Sequence, residues 1–282
     1  MPEINLVDRT LQNYNNKTEI SIQVSLSGFS FCIYSPENLL IRAFRYYRFK
    51  HAIILEDILN GIEDVLKKDD LLSLPQKKAR VIFTGRKSTM VPYEFFSAEQ
   101  LKPLLEFNHP LEDLEEIHYN DIQFIESYLA FAMPTYVAGM ITEKIKNVEF
   151  FNQSAPLLYY ATQLIKENKG DGVIINLNKE FFDIIVLQNN ALKFINTFLY
   201  VNSIDLLYFI LYVCKQLKID AKKITFHLAG EESNKAELTN DLYDYIPNLK
   251  KIDSLQGIEL SDSLKKIDAS RHFTLLHLAK CE

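Results

Sequence analysis

Three stretches of the chain bring together residue types that could do chemistry. Gly85-Arg86-Lys87-Ser88-Thr89 gathers a glycine, two cations and two hydroxyls, the ingredients of a phosphate-wrapping loop. A Walker loop needs a Gly-Lys-Ser/Thr run with a further glycine five positions upstream. No such run exists here, so the stretch reads as an exposed basic turn after a strand. Arg42–His51 (RAFRYYRFKH) is the one basic aromatic run. Arg42, Arg45, Arg48 and Lys50 alternate with Tyr46 and other rings, a pattern that could stack bases and meet phosphates. Its plainer reading is a strand end with solvated Arg heads and buried rings, and the net charge of −6 favours that reading. The run remains the best candidate surface for a partner or a nucleic acid. His272, His277 and Cys281 lie close together near the end, and His277 and Cys281 would share one helix face. Zinc would need further ligands at compatible spacing, so a structural role is expected for them. Glu112, Glu115 and Glu116 read as a solvated loop, and no G-x-S-x-G elbow occurs.

The composition bounds what these residues could serve. A chain of 282 residues is long for one core and suits two lobes. Only 8 glycines are present, and loops that cradle phosphate depend on glycine for close backbone approach. The acidic balance disfavours a general nucleic-acid or anionic-membrane binder. The three cysteines, Cys32, Cys214 and Cys281, form no C-x-x-C pair and fit a reduced, cytoplasmic setting. The start, MPEINLVDRT, lacks the pattern of a secretory leader. The longest apolar run, Leu206–Cys214, is too short to span a bilayer and reads as the middle of a buried helix.

The elements that must position any site repeat themselves. Glu19–Ile33 (EISIQVSLSGFSFCI) and Asp171–Ile185 (DGVIINLNKEFFDII) each hold two apolar runs joined by a small polar turn. Each continues into a third run (Leu39–Tyr46; Ala191–Leu199), a helical stretch, and a further apolar run (Ala79–Thr84; Lys223–Ala229). Placing Ile22 on Ile174 also places Phe29 on Phe181 and Ile33 on Ile185. Alternation at Ile20, Ile22 and Val24 is strand period, and Leu55, Ile58, Leu59, Ile62 and Leu66 have helical spacing. Between the two units, Glu116–Phe124 and Tyr128–Met133 read as paired strands. Pro134 opens a helix over 137–145, Val148–Phe151 is a short strand, and Ser154–Lys166 is a helix. Later, Asn202 and Ser203 cap a helix running to about Leu217, and Asn234–Tyr245 is another. Asp183 and Asp205 stand as isolated carboxylates, assigned to capping or the surface. The expected division is a mobile arm over 1–18, a first lobe over 19–152 and a second over 153–282.

This duplicated β-β-β-α-β order resembles the actin, sugar-kinase and heat-shock ATPase superfamily, an α/β fold related to ribonuclease H. In style the chain is most similar to an uncharacterised family, domain of unknown function 3822. The resemblance rests on Leu26–Phe31 (LSGFSF), Val81–Gly85 (VIFTG), Ala130–Pro134 (AFAMP), the Asp171–Leu187 hairpin and Phe226–Glu231 (FHLAGE), in that order. It spans residues 19 to about 252. The superfamily implies an Asp-x-Gly hairpin after the first strand of each lobe, its carboxylate holding a metal and its backbone amides meeting phosphates. It also implies a later Gly-Gly pair against adenosine. Carried onto this chain, the first hairpin reads Ser25-Leu26-Ser27 followed by Gly28. The second reads Asn176-Leu177-Asn178 followed by Lys179, and the adenosine position reads Gly230-Glu231-Glu232. Neither hairpin keeps the carboxylate. The resemblance therefore implies a degenerate nucleotide site, no resident cofactor and no ATPase activity. A non-catalytic binding or scaffold protein is expected, holding a protein partner in an interlobe groove or at a sheet edge. Relatives of this shape include assembly-platform proteins of secretion and pilus systems. Two alternatives stand beside it: an atypical ATP-binding kinase or ATPase, and an RNA-binding accessory protein acting through the basic aromatic run.

Overall fold

Strand alternation dictates two sheets whose first strands are β2 (Glu19–Ser25) and β10 (Gly172–Leu177). The computed structural model describes residues 1–11, 17–49, 55–167 and 171–281. The chain divides into two units, one of residues 1–155, 255–267 and 275–282, the other of 156–254 and 268–274. The sequence reading instead carries the second lobe unbroken to 282.

In the first unit the strands are β1 (Ile4–Val7), β2, β3 (Gly28–Ser35), β4 (Leu40–Arg48), β5 (Ala79–Phe83) and β9 (Val148–Asn152), hydrogen-bonded in the order β1-β4-β3-β2-β5-β9. β2, β3 and β4 form antiparallel pairs, while β2-β5 and β5-β9 are parallel. Ile20, Ile22 and Val24 of β2 face a core shared with Phe29, Phe31 and Ile33 of β3. That core also takes in α1 (Leu55–Lys68) through Ile62 and Val65, and α3 (Thr135–Lys144) through Val137 and Ile141. The opposite face of β2 is polar in sequence, yet Ser21, Gln23 and Ser25 are buried as well. The C-terminal 3-10 turn, Leu278–Lys280, packs against β2 and β5 on this unit.

Residues 4–7, expected within a mobile arm, form β1. They pair with β4 from Ile4 against Tyr46 to Val7 against Ala43. Four apolar or amide side chains satisfy strand geometry only once a sheet edge is present, so the order comes from a distant partner. β15 (Glu259–Leu260) covers the rest of that edge, beside Leu40 and Ile41.

A second sheet in this unit holds β6 (Ser88–Pro92), β7 (Glu115–Ile122) and β8 (Ser127–Pro134) in the order β6-β8-β7. The β7–β8 pair matches the expectation. Ser88 and Thr89, read as part of a basic turn, instead begin β6. Val91, Ala130 and Ile117 share one face of this sheet, where α2 (Leu101–Glu106) covers them with Leu101 and Leu104.

The second unit repeats the first sheet's plan. β11 (Phe181–Gln188), β12 (Ala191–Leu199), β13 (Thr225–Ala229) and β14 (Leu249–Lys251) join β10 in the order β12-β11-β10-β13-β14. Strand directions match as well, antiparallel through β12-β11-β10 and parallel through β10-β13-β14. The two hairpins share one register: Ile22 faces Phe31 as Ile175 faces Ile184, and Val24 faces Phe29 as Leu177 faces Phe182. The core face Ile20, Ile22 and Val24 thus corresponds to Val173, Ile175 and Leu177, one position away from the alignment that sets Ile22 on Ile174. Asp183 comes directly opposite Asn176, where the first hairpin sets Ser30 opposite Gln23. α5 (Ser203–Gln216) and α6 (Ala236–Tyr245) cover the Val173, Ile175 and Leu177 face. Asn202 caps α5 as expected, its Oδ1 accepting from the Ile204 and Asp205 amides at 2.9 and 3.0 Å. α4 (Ser154–Lys166) keeps the limits read from the sequence. The terminal apolar segment is α7 (Phe273–His277) followed by the 3-10 turn.

Candidate functional site

In open α/β sheets ligands gather at the C-terminal ends of parallel strands. In the first unit those ends are Ser25 on β2, Phe83-Thr84-Gly85 after β5, and Asn152-Gln153 after β9. The Ser25 and Ser27 hydroxyls lie 2.8 Å apart, and the Ser27 amide donates to the Ser25 hydroxyl at 3.3 Å. The turn is thus bonded to itself. Gly28 is required by its own chain, because a Cβ there would meet the Tyr47 carbonyl oxygen of β4 at 2.2 Å. The Gly85 backbone is gripped on both sides by Gln153, a fully buried residue. Gly85 N–H donates to Gln153 Oε1 at 3.1 Å, and Gln153 Nε2 donates to Gly85 O at 2.8 Å. Lys87 pairs with Glu115 at 2.7 Å.

In the second unit the corresponding ends are Asn176-Leu177-Asn178 at the end of β10 and Gly230 after β13. Here the structure corrects the reading of Asp183 as a capping or surface acid. Asp183 is 1% exposed. Its Oδ2 accepts from Asn176 Nδ2 at 2.9 Å and Asn178 Nδ2 at 3.3 Å, and its Oδ1 from the Thr197 hydroxyl at 2.7 Å. A carboxylate in an apolar strand is tolerated only with such donors. The Tyr200 hydroxyl donates to the Asn178 carbonyl at 2.5 Å, fixing the turn from below. Asp205 does cap, its carboxylate accepting the Val201 amide at 3.0 Å.

Gly230 has φ +107°. A Cβ there would meet Leu177 O at 2.4 Å, Leu177 N at 2.5 Å and Asn176 Oδ1 at 2.8 Å. The Glu232 amide donates to Leu177 O at 3.1 Å, and the Gly230 amide to Ser270 O at 2.9 Å. The position expected against adenosine therefore lies against the β10–β11 hairpin of its own unit.

The basic aromatic run is neutralised within the protein. Arg42 is buried, with Nε on the Ser35 hydroxyl at 2.8 Å and Nη1 on Asp8 at 3.3 Å. Arg45 bridges Asp69 and Asp70, each at 2.6 Å, and Arg48 pairs with Glu3 at 2.8 Å. Tyr46 is buried, and Lys50 lies outside the described residues. The structure thus replaces the solvated Arg heads of the sequence reading with ion pairs. The partners, Glu3, Asp8, Asp69 and Asp70, are too far off in the chain for any local pattern to reveal.

His272, His277 and Cys281 are all buried. Burial, helped by the neighbouring Arg271 and opposed by Asp268, holds the His272 imidazole down to about 3, so it is neutral in the fold. Burial pushes the Cys281 thiol up to about 12. Among the described residues no group of three or more His, Cys, Asp and Glu could hold a metal ion. Asp183 is the member of the second hairpin that the sequence reading misplaced. Its signal was present: a lone carboxylate inside FFDIIVL has no polar neighbour to take it to water.

The two matching sheets and their strand order define an actin-like ATPase fold. A solved protein of that fold and of unknown function from Bacteroides thetaiotaomicron superposes with a TM-score of 0.79 at 23% identity, over 96% of this chain and 98% of that one. A chain of the PilM–PilN type IV pilus biogenesis complex superposes with a TM-score of 0.62 at 9% identity, over 93% and 97%. Within that fold class the chain belongs to the family described as protein of unknown function DUF3822, which it matches over residues 8–249. No curated protein matches its sequence. Among the described residues no helix is long and apolar enough to cross a membrane.

Proposed function

We propose that this protein is a non-catalytic, cytoplasmic binding or scaffold member of the actin-like fold, acting by holding a protein partner. One observation carries the reading. The hairpin positions that would grip a nucleotide's cation hold Ser25, Ser27, Asn176 and Asn178, and the buried carboxylate beside them, Asp183, is spent on three donors of its own unit, while Glu180 is exposed in the turn and Glu19, at the far end of β2, pairs with Arg80. Magnesium is held by carboxylate and phosphate oxygens in near-octahedral geometry, and neutral hydroxyls and amides are poor substitutes. The glycines point the same way, since Gly28 and Gly230 are each needed for close approach within the chain. Fold alone names no function. The PilM chain, found in complex with PilN, is an analogy for partner binding by this architecture.

The test is thermal unfolding with ATP and Mg²⁺. A ligand at a hundred times its Kd stabilises by about 2.7 kcal/mol. For a protein of this size class that is a shift of roughly 5 °C or more. The expected result is no Mg²⁺-dependent shift at ~1 mM ATP, for sites with Kd near ~10 μM or tighter. A clear shift that requires Mg²⁺ would overturn the reading in favour of an atypical kinase or ATPase.

A further inference from the structure

The β6-β8-β7 sheet leaves part of one face uncovered. α2 covers the end holding Val91, Ala130 and Ile117. At its margin Phe96, itself packed against that end, meets the rings of Tyr119 and Tyr128, with centroids 3.8 Å apart for Phe96–Tyr128, 5.0 Å for Phe96–Tyr119 and 5.4 Å for Tyr119–Tyr128. Tyr93 joins them at 4.9 Å from Tyr128. Tyr119 is 48% exposed, and Phe95 beside the cluster is 63% exposed. Tyr93 and Tyr119 thus carry exposed rings over half-buried Phe96 and Tyr128, a costly arrangement unless something covers them.

The charge around them identifies what would. Residues 88–134 carry nine carboxylates and one ammonium group, a net charge of −8 against −6 for the whole chain. Arg86 and Lys87 at the entrance reduce this to −6, so the segment holds the chain's entire acid excess. Glu94, Asp121 and Glu126 are exposed. The Asp121 carboxylate accepts a hydrogen bond from the Tyr93 hydroxyl, and the backbone of Glu126 accepts the Tyr93 amide at 3.0 Å, so Asp121 touches the rings while residues 94 and 126 flank Tyr93. Aromatic faces bordered by carboxylates attract guanidinium and ammonium groups through cation–π and ionic contacts together. They repel nucleic acid and anionic membrane.

We infer that the aromatic face of the β6-β8-β7 sheet docks a Lys/Arg-rich segment of a protein partner. The inference rests on the partner-binding reading above, but its test contains no nucleotide. An ATP–Mg²⁺ shift would overturn that reading alone, and failure of the peptide experiment would overturn this one alone.

The probe is a short fluorescein-labelled peptide of Arg, Gly, Lys and Ser, titrated with the full chain by anisotropy at ~20 and ~150 mM salt. A counterpart with Glu for every Arg and Lys is the control. The expected result is saturable binding of the basic peptide only, weakened by salt. It should be lowered roughly tenfold in the combined variant Glu94→Gln, Asp121→Asn, Glu126→Gln, and about fivefold by Tyr119→Ser. Removing the same kind of charge from exposed α1, with Glu63→Gln and Asp64→Asn, should leave it unchanged. These positions are all exposed, and matching melting curves check that the variants fold. Absence of binding at low salt overturns the inference, as does equal weakening by the α1 and sheet variants. Sedimentation showing a dimer that Tyr119→Ser dissociates overturns it too, because the face would then belong to a second copy of the chain.

Discussion

Asp183 separates two accounts of the second hairpin. If it is a structural acceptor, the apo protein depends on it. If it is a cation ligand held in reserve, the apo protein carries a buried charge whose removal relieves it. The structure gives the magnitude. Replacement by Ala strands the amides of Asn176 and Asn178, which are 1% and 5% exposed, while the half-buried Thr197 hydroxyl can turn to water. Each stranded buried donor costs about 1–3 kcal/mol, less for the 3.3 Å contact to Asn178 than for the 2.9 Å contact to Asn176. Loss of the buried charge offsets part of this, so Asp183→Ala should cost about 3 kcal/mol. Asp183→Asn keeps the shape but turns an amide NH₂ towards at least one donor, at a cost of about 1–2 kcal/mol. The assay is equilibrium urea unfolding in a chelator, where a lower midpoint at unchanged slope reports lost stability. An unchanged or raised midpoint for Asp183→Asn would refute the structural account. It would refute it doubly if the native protein also gained stability from Mg²⁺ and the variant did not.

Three further outcomes follow from contacts elsewhere in the two units. Gly230→Ala places a methyl group against Leu177 at φ +107° and should cost about 2–4 kcal/mol in urea unfolding without any ligand; a neutral result would mean that close approach is not what the glycine serves. Arg80 donates to the Glu19 carboxylate, to the Tyr34 hydroxyl at 2.6 Å and to the Cys281 carbonyl at 2.9 Å, so Arg80→Met should cost about 3–5 kcal/mol. A double-mutant cycle with Glu19→Gln should return part of that loss as coupling, and strict additivity would show the ion pair to be idle. His272 has its imidazole lowered by burial to about 3, whereas in the unfolded chain it titrates near ~6.5. Between these values only the unfolded chain binds the proton, so its contribution is intact above pH ~6.5 and is lost as pH falls, by about 2 kcal/mol at pH ~5. His272→Gln should flatten the pH dependence of stability over that interval, and an unaltered slope would mean that the residue is protonated in the fold.

Local pattern made most of this fold legible. The β10–β11 hairpin, the α4 limits at Ser154 and Lys166, the β12 limits at Ala191 and Leu199, and the Asn202 cap all follow from alternation, proline placement or a capping side chain. These depend on neighbours in sequence. What was not legible depends on distant chain. β1 exists because β4 offers an edge, and β15 because Leu40 and Ile41 lie beside it. β6 begins at Ser88, inside a basic string that local rules assign to a turn, because β8 pairs with it. The return of residues 255–267 and 275–282 to the first unit has no local signature at all. At the site, the identities at 25, 27, 176 and 178 were readable, whereas the engagement of Asp183 depends on strand pairing that sets it between Asn176 of β10 and Thr197 of β12.

A glycine kept in such a loop can mislead. A glycine in a nucleotide loop and a glycine under a crossing strand have the same sequence appearance, since both are places where a Cβ does not fit. At Gly28 the obstacle is the Tyr47 carbonyl, and at Gly230 it is the Leu177 backbone, each belonging to the same unit as the glycine. Selection for packing alone would keep both residues whether or not a ligand ever came near. Carboxylates behave oppositely. A buried acid is destabilising unless donors or a cation meet it, so it persists only where one of the two is supplied. Asp183 has its donors, and they are side chains of its own sheet. The acids therefore discriminate function in this fold better than the glycines do.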